Sequence, residues 1–296
     1  MYNEEKKYFL EELEVLYNER KLVFLGLGLA LVLFLAFSFL SVAGEKIPFT
    51  HYFLSVGQGD SEVVIFRNGA VMLVDGGPPN GRAVREVGKI LPFFKRSVDL
   101  VLVTHPEEDH FGGLIELLKR YKVGIVVTNG DENDTESYFE FTKILEEKNI
   151  KTIMVSEGDR IKQGDISFSV LWPNRVRSEK PNENALVLLG EYGEYRSLLA
   201  SDIPDSVEKE IIAKVSPLAL LKVPHHGSKY SSSQDFLFAL NPAVAVIEVG
   251  ENNYGHPSPD TLSRLASVGA QILRTDRDGT VSARFENGRV IISRIK

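Results

Sequence analysis

The segment VLVTHPEEDHFGG, Val101–Gly113, sets two histidines, three acids and a glycine pair directly after an apolar, strand-like run. Neutral imidazoles and carboxylates are the donors a first-row divalent metal needs where no thiolate is on offer. The chain contains no cysteine. Disulfides, thiolate metal sites and cysteine nucleophiles are therefore excluded, and any ion must be held by His, Asp, Glu or Asn. Within the segment His105, Asp109 and His110 are the first candidates, with Glu107 between them. A strand ending at Thr104 would release them into a turn, and a helix beginning near Phe111 would point its N-terminal amides at the same place. An acidic helix start with incidental histidines is the competing reading.

Other segments offer compatible groups, and that weighs against the competing reading. In SVGQGDS (Ser55–Ser61), Gly57 and Gly59 shape a loop and Asp60 orients it or the metal site. Asp75, in VDGG, either hydrogen-bonds a metal-bound histidine or organises the turn. In LLASD, Asp202 reads alone as the cap of a helix after Pro204. Beside KVPHHGS the bridging carboxylate of a two-metal site is the better reading. His225 and His226 are adjacent, so only one of them is expected to face the ion, and the spacing does not choose between them. Lys222, Ser228 and Lys229 flank the pair as candidates to meet a substrate phosphate or support the ligands. His256, in NYGHPSP, is a substrate contact or a turn residue. Five of the six histidines fall in these segments, and the remaining one, His51, opens a strand and reads as structural.

The elements that must position these groups alternate. HYFLSVG and SEVVIFRNGAVMLVDGG are apolar runs, the second folding back at Asn68-Gly69, a dipeptide suited to a tight hairpin. RAVREVGKIL reads as a helix, DLVLVTH as a strand, FGGLIELLKRY as a helix, VGIVVTN as a strand and ESYFEFTKILEEKN as a helix. A second strand-rich block, DISFSVLWP and NALVLLGEYGEYRSLLASD, precedes more α/β alternation, and the chain closes on a hairpin turning at Asn287-Gly288. Two halves of this kind predict an α/β (α+β) domain over 47–296 with two packed sheets and helices outside. The candidate residues then fall at strand ends, where such folds gather their sites.

With 296 residues and 43% hydrophobic content, the chain is long enough for a substantial core. A formal charge of −7 argues against coating nucleic acid by bulk electrostatics. Residues 22–44, LVFLGLGLALVLFLAFSFLSVAG, are uncharged and match the roughly 20 apolar residues of one membrane-spanning helix. Residues 1–21 have apolar side chains at helical spacing and read as an amphipathic segment entering it. Lys6, Lys7, Arg20 and Lys21 precede the span and only Lys46 follows closely, so residues 1–21 are expected in the cytoplasm and the large domain outside it, as a single-pass cell-membrane protein.

Taken together, SVGQGDS, VDGG, THPEEDHFGG, LLASD, KVPHHGSKYSSS, NYGHPSP and RTDRDGT resemble the metallo-β-lactamase fold superfamily. Within it they resemble the hydrolase-like domain of the ComEC-type competence proteins, from about Phe53 to the C-terminus. The resemblance implies a four-layer αββα sandwich with one or two divalent ions at its edge. His105, Asp109, His110, Asp202 and His225 or His226 would carry metal, and Asn184 sits where the fold usually supplies another histidine. Glu107 stands where the superfamily usually has histidine and the ComEC type has aspartate. Ser55 replaces the usual aspartate of that motif, and LLASD replaces the commoner Thr-Gly-Asp ending. The implied activity is metal-dependent hydrolysis, foremost a phosphodiesterase cutting DNA, with Asp109, Asp202 and His256 in the reaction and DNA-uptake machinery as a partner. The oxygen-rich donor set leans toward manganese over zinc. A phosphoesterase acting on a small or surface-polymer group such as phosphocholine, and a non-catalytic tethered partner of a DNA-uptake channel, are the alternatives.

Overall fold

The computed structural model describes residues 20–21, 24–34, 47–174, 178–286 and 288–295. Residues 24–34 are helical, and no helix among the described residues is long and apolar enough to cross a membrane. The rest of the expected 22–44 span, and residues 1–19 before it, lie outside the described residues. Ile47–Lys296 forms a compact unit of its own.

That unit opens on an antiparallel meander of β1 (Phe49–Phe53), β2 (Glu62–Ile65) and β3 (Val71–Val74), with the expected turn at Gly69, φ 81°. Helix α1 (Arg82–Ile90), β4 (Ser97–Val103), α2 (Glu108–Arg120), β5 (Lys122–Thr128), α3 (Glu136–Glu147) and β6 (Lys151–Met154) follow, with β3 to β6 parallel. The second sheet contains β7 (Arg160–Gln163), β8 (Ile166–Trp172), β9 (Val187–Tyr192) and β10 (Tyr195–Leu199). After α4 (Asp205–Ile211) come β11 (Leu220–Lys222), α5 (Gln234–Leu240), β12 (Val244–Ile247), α6 (Pro259–Ser267) and β13 (Gln271–Arg274). A short α7 (Thr275–Asp278) returns the chain to the first sheet as the hairpin β14 (Thr280–Glu286) and β15 (Arg289–Ile295). The strand orders are β15-β14-β1-β2-β3-β4-β5-β6 and β13-β12-β11-β10-β9-β8-β7.

Period-two alternation builds the layers, because successive side chains of a strand point to opposite faces. Val63, Leu73 and Val101 join α1, α2 and α3 in one core, while their neighbours Val64, Met72 and Leu102 face Phe168, Leu188 and Val246 of the second sheet. On the far side Leu198, Leu221 and Ala245 pack under α4, α5 and α6. Strands buried on both faces read as continuous apolar runs, as VLV and LALL do. The result is the αββα sandwich, and truncating a fully buried linchpin between the sheets such as Phe168 to alanine should cost about 3–5 kcal/mol. Ser233 and Ser258 cap α5 and α6 by accepting from the amides of Phe236 and Thr261. Strands β6, β7 and β13 were not anticipated; their burial is partial, and the apolar pattern that marks the central strands is weak there.

Candidate metal centre

The segments that follow the carboxyl ends of β3, β4, β10 and β11 converge on one cluster of ligand-type side chains, beside the end of β12. Asp75 follows β3 in a left-handed turn, φ 55°. Its Oδ1 accepts from the Thr104 amide at 2.8 Å, and its Oδ2 accepts from Thr104 Oγ1 at 2.6 Å and from His110 Nδ1 at 2.8 Å. Asp75 thus links the turn after β3 to the Thr104 amide and hydroxyl and to the His110 imidazole. Because the Thr104 hydroxyl proton goes to Asp75, Thr104 Oγ1 accepts from His105 Nδ1, 3.0 Å away. His226 Nδ1 donates to the Glu248 carbonyl at 2.9 Å. Each of the three rings is thus held by Nδ1 and presents Nε2, and all three Nε2 atoms are buried without a hydrogen-bond partner.

Carboxylates meet those nitrogens. Asp202 Oδ2 lies 3.5 Å from His110 Nε2 and 3.2 Å from His226 Nε2, and Asp109 Oδ2 lies 3.3 Å from His226 Nε2. Ligand atoms of His105, His110 and Asp202, and of Asp109, His110 and His226, fall within 4.8 Å of one another. Three orphaned imidazole nitrogens facing two carboxylates are the donor set that a divalent ion fits. Without an ion the charges compensate one another. Burial pulls His226 and His110 down, but Asp202 together with Asp60 or Asp75 outweighs it and holds both well above the usual imidazole value. Burial likewise raises Asp202, but His226, His110 and Lys222 hold it well below the carboxylate range, and Asp109 is lowered to about 2.

Residues 55–250 match the model of the Metallo-beta-lactamase superfamily. The chain belongs to the metallo-beta-lactamase superfamily. It is similar to ComE operon protein 3 of Bacillus subtilis (strain 168), at 31% identity over 79% of this chain and 33% of that one. It is also similar to Recombination protein 2 of Haemophilus influenzae, at 28% identity over 82% of this chain and 30% of that one. The chain therefore spans about a third of the length of these curated relatives. Among solved structures, Igni18, a metallo hydrolase of the archaeon Ignicoccus hospitalis, shares the fold with a TM-score of 0.54 at 19% identity, over 80% of this chain and 100% of that one. The resemblance to the ComEC-type domain is borne out, and with it the metallo-beta-lactamase hydrolase fold.

Against that fold the individual expectations divide. Helix α2 begins at Glu108, not near Phe111, so Asp109 and His110 belong to its first turn and are placed by helical geometry. Glu107 occupies the helix's N-cap position without a side-chain cap bond, and its partly exposed carboxylate reaches 3.6 Å from His105 Nε2 at the cavity mouth. Asp202 does not cap α4, because Pro204 holds that position and Asp202 is turned inward. His225 and His226 both adopt left-handed conformations, φ 51° and 52°, each costing about 1–2 kcal/mol for an L-residue. The turn sends them apart: the His226 side chain is 2% exposed, whereas that of His225 is 30% exposed with Nε2 3.8 Å from Asp202.

Four residues sit elsewhere than expected. The amide of Asn184 donates to Asp131 and the Ser178 carbonyl, both at 2.8 Å, and accepts from the Ser178 amide at 2.9 Å, bracing the 178–184 segment. Lys222 is fully buried and ion-paired with Asp60, donating also to the Ser201 carbonyl at 2.8 Å, so it meets no substrate. Burial pulls its ammonium down, but Asp60, Asp202 and Glu248 overcome this and raise it. Lys229 lies over the Tyr230 ring, and Ser228 is buried in the turn after His225, accepting from the Tyr230 amide. Thr104, Ser201 and Glu248 were not anticipated. A lone acid in the apolar run AVAVIEVG was the available signal for Glu248.

The cluster forms the floor of a cavity of about 640 Å³ lined by Gln58, Pro78, Glu107, His225, Tyr254 and His256 among others. Its described lining contains no lysine or arginine. Burial, then His225 and His226, lower His256 to about 4, so it meets a ligand as a neutral ring. Gly59, φ 136°, lets the 57–60 loop lie on α2: a Cβ there would come 2.2 Å from the Asp109 carbonyl oxygen.

Proposed function

We propose that the chain is a membrane-anchored, metal-dependent phosphodiesterase that cuts DNA outside the cytoplasm. The observation that carries the reading is the set of three orphaned Nε2 atoms, on His105, His110 and His226, facing Asp202 and Asp109. These residues would hold one or two divalent ions, manganese before zinc given the share of oxygen donors. Bound there, such an ion supplies Lewis acidity, activating water and screening phosphate charge. The chain's own part is positional. Asp202 Oδ2 offers an acceptor to a water on the cavity floor, while Lys222 holds the other carboxylate oxygen at 3.4 Å. His225 and His256 flank the entrance, and the neutral His256 can hydrogen-bond a phosphate oxygen but is a poor proton donor near neutral pH. DNA as substrate, and DNA-uptake machinery as partner, follow from the competence proteins among the relatives. The anchor follows from the apolar run of 22–44.

A second reading, a phosphoesterase for a small or surface-polymer group such as phosphocholine, is favoured by the described cavity lining, which has no lysine or arginine to grip a polyanionic backbone. The purified full chain, assayed on single- and double-stranded DNA and on small phosphodiesters with manganese, magnesium or zinc, separates the two. Asp202→Ala should abolish turnover and bound metal while leaving the far-ultraviolet spectrum intact. No bound metal by elemental analysis and no cleavage of any substrate would leave the third reading, a non-catalytic tethered partner.

A further inference from the structure

The end of the first sheet opposite the metal centre has a different chemistry. Between α1 and β4 the loop LPFFKR exposes Phe93 at 85% and Phe94 at 74%, their rings 5.3 Å apart. Lys95 ties this loop to the β2–β3 turn by donating to the Gly69 carbonyl, and that same turn lies against Ile47, itself 46% exposed. On the other side the Arg96 carbonyl accepts from the Lys122 amide at 2.9 Å. Arg96, Lys119, Arg120, Lys122 and Lys148 gather around one hollow of about 380 Å³. Glu140 pairs with Lys119, Glu116 with Arg120, and Lys148 donates to the Leu118 carbonyl. Arg96, stacked over Tyr121, and Lys122 carry exposed charge in a chain whose net charge is −7.

We propose that this end is a membrane-facing surface: Phe93 and Phe94 enter the headgroup region of an anionic bilayer while Arg96, Lys122 and their neighbours contact lipid phosphates. Exposed aromatics beside a basic cluster are the combination that binds the interface of an anionic membrane, the rings by desolvation and the cations by surface potential. Placement selects the bilayer over another polyanion. Ile47, where the sandwich begins, follows the apolar 22–44 run by two residues, and it packs on the turn that Lys95 grips. The patch surrounds the amino ends of β4 and β5, whereas the metal cluster lies past their carboxyl ends, roughly 20 Å away along a seven-residue strand. Docking by this surface holds the cavity mouth toward the aqueous side.

The proposal draws on the anchoring reading for location and not on catalysis, and the test separates the two. Since the chain has no cysteine, a spin label can be placed singly by Phe93→Cys or Tyr254→Cys in the full-length protein. In vesicles of phosphatidylcholine with phosphatidylglycerol, the label at position 93 should be relaxed by oxygen and shielded from a water-soluble nickel chelate, while the label at 254 stays open to the chelate. Arg96→Glu with Lys122→Glu, or vesicles of phosphatidylcholine alone, should return the label at 93 to water. A chain that floats with vesicles but leaves position 93 as chelate-accessible as 254 overturns the surface and keeps the anchor. A chain that does not float overturns both. Shielding of position 93 by an oligonucleotide without vesicles would reassign the patch to nucleic acid and overturn the proposal.

Discussion

The two halves of the metal cluster are built by different means. In the first sheet Asp75 holds Thr104 and His110 through short hydrogen bonds between groups 29 to 35 residues apart in sequence, and Thr104 in turn holds its neighbour His105. In the second, His226 is held by a backbone carbonyl, and Asp202 by a buried ammonium that also binds Asp60. The first half is a hydrogen-bonded frame whose one carboxylate serves a ring and an amide together. The second is an ionic core in which Lys222 balances two acids. A hydrogen-bonded frame loses affinity when one partner is altered, whereas an ionic core loses stability, because an unpaired charge remains behind.

Lys222→Met tests the ionic half most severely. It leaves Asp60 and Asp202 without their ammonium, with only the His110 and His226 rings to offset them, and unfolding by urea should show a loss of about 3–5 kcal/mol, the usual cost of breaking a buried pair. Asp75→Asn tests the frame: calorimetric titration should show metal affinity falling by roughly 10–100-fold, as for outer partners of ligating histidines, with a smaller change in unfolding. If both substitutions act mainly on stability, the contrast between the halves disappears.

Proton linkage gives a third test. In the metal-free protein His110 and His226 titrate above their unfolded value of 6.5, so their contribution to stability is complete below about 6.5 and is lost as pH rises through their folded values. Asp109, lowered to about 2, contributes above about 3.8 and loses that contribution as pH falls toward 2. Metal binding needs neutral rings and must displace their protons. The gap in unfolding free energy between metal-loaded and chelator-treated protein, measured by urea titration, should therefore widen from about pH 6 to pH 8, by up to about 1.4 kcal/mol per pH unit for each proton released. A gap independent of pH would mean that rings already neutral bind the ion. The smallest effect belongs to Glu107→Gln, at the exposed rim of the first half: metal content should be unchanged and turnover altered by only a few-fold, about 1 kcal/mol or less as for exposed charges. A large loss of metal would return Glu107 to the ligands.

Much of this was legible in the sequence because the signals were local or periodic. Asn68-Gly69 marked its hairpin, and the apolar runs marked strands covered on both faces. The histidines and acids at strand ends marked where the sheets converge. What escaped depended on direction. Nothing in HHGS says that two successive left-handed residues turn one ring inward and the next toward solvent. Asn184 stood at a ligand position by resemblance, yet its amide is engaged by Asp131 and Ser178, a pairing 53 residues apart in the first case. Lys222 looked like a phosphate contact because lysine is usually exposed; its burial is visible only once Asp60 and Asp202 are seen beside it.

The glycines under α2 set one further condition. A Cβ on Gly113 would lie 2.0 Å from the Gly76 carbonyl oxygen, and the Gly113 amide donates to Gly77 at 2.8 Å, so the helix rests backbone to backbone on the turn that contains Asp75. His110 and its brace are consequently spaced by the thickness of a peptide group, a gauge that no rotamer can adjust. Coordination tolerates errors of about 0.5 Å. A methyl group at position 113 would exceed that allowance while touching no ligand, detuning the centre as a shim beneath a lens shifts its focus.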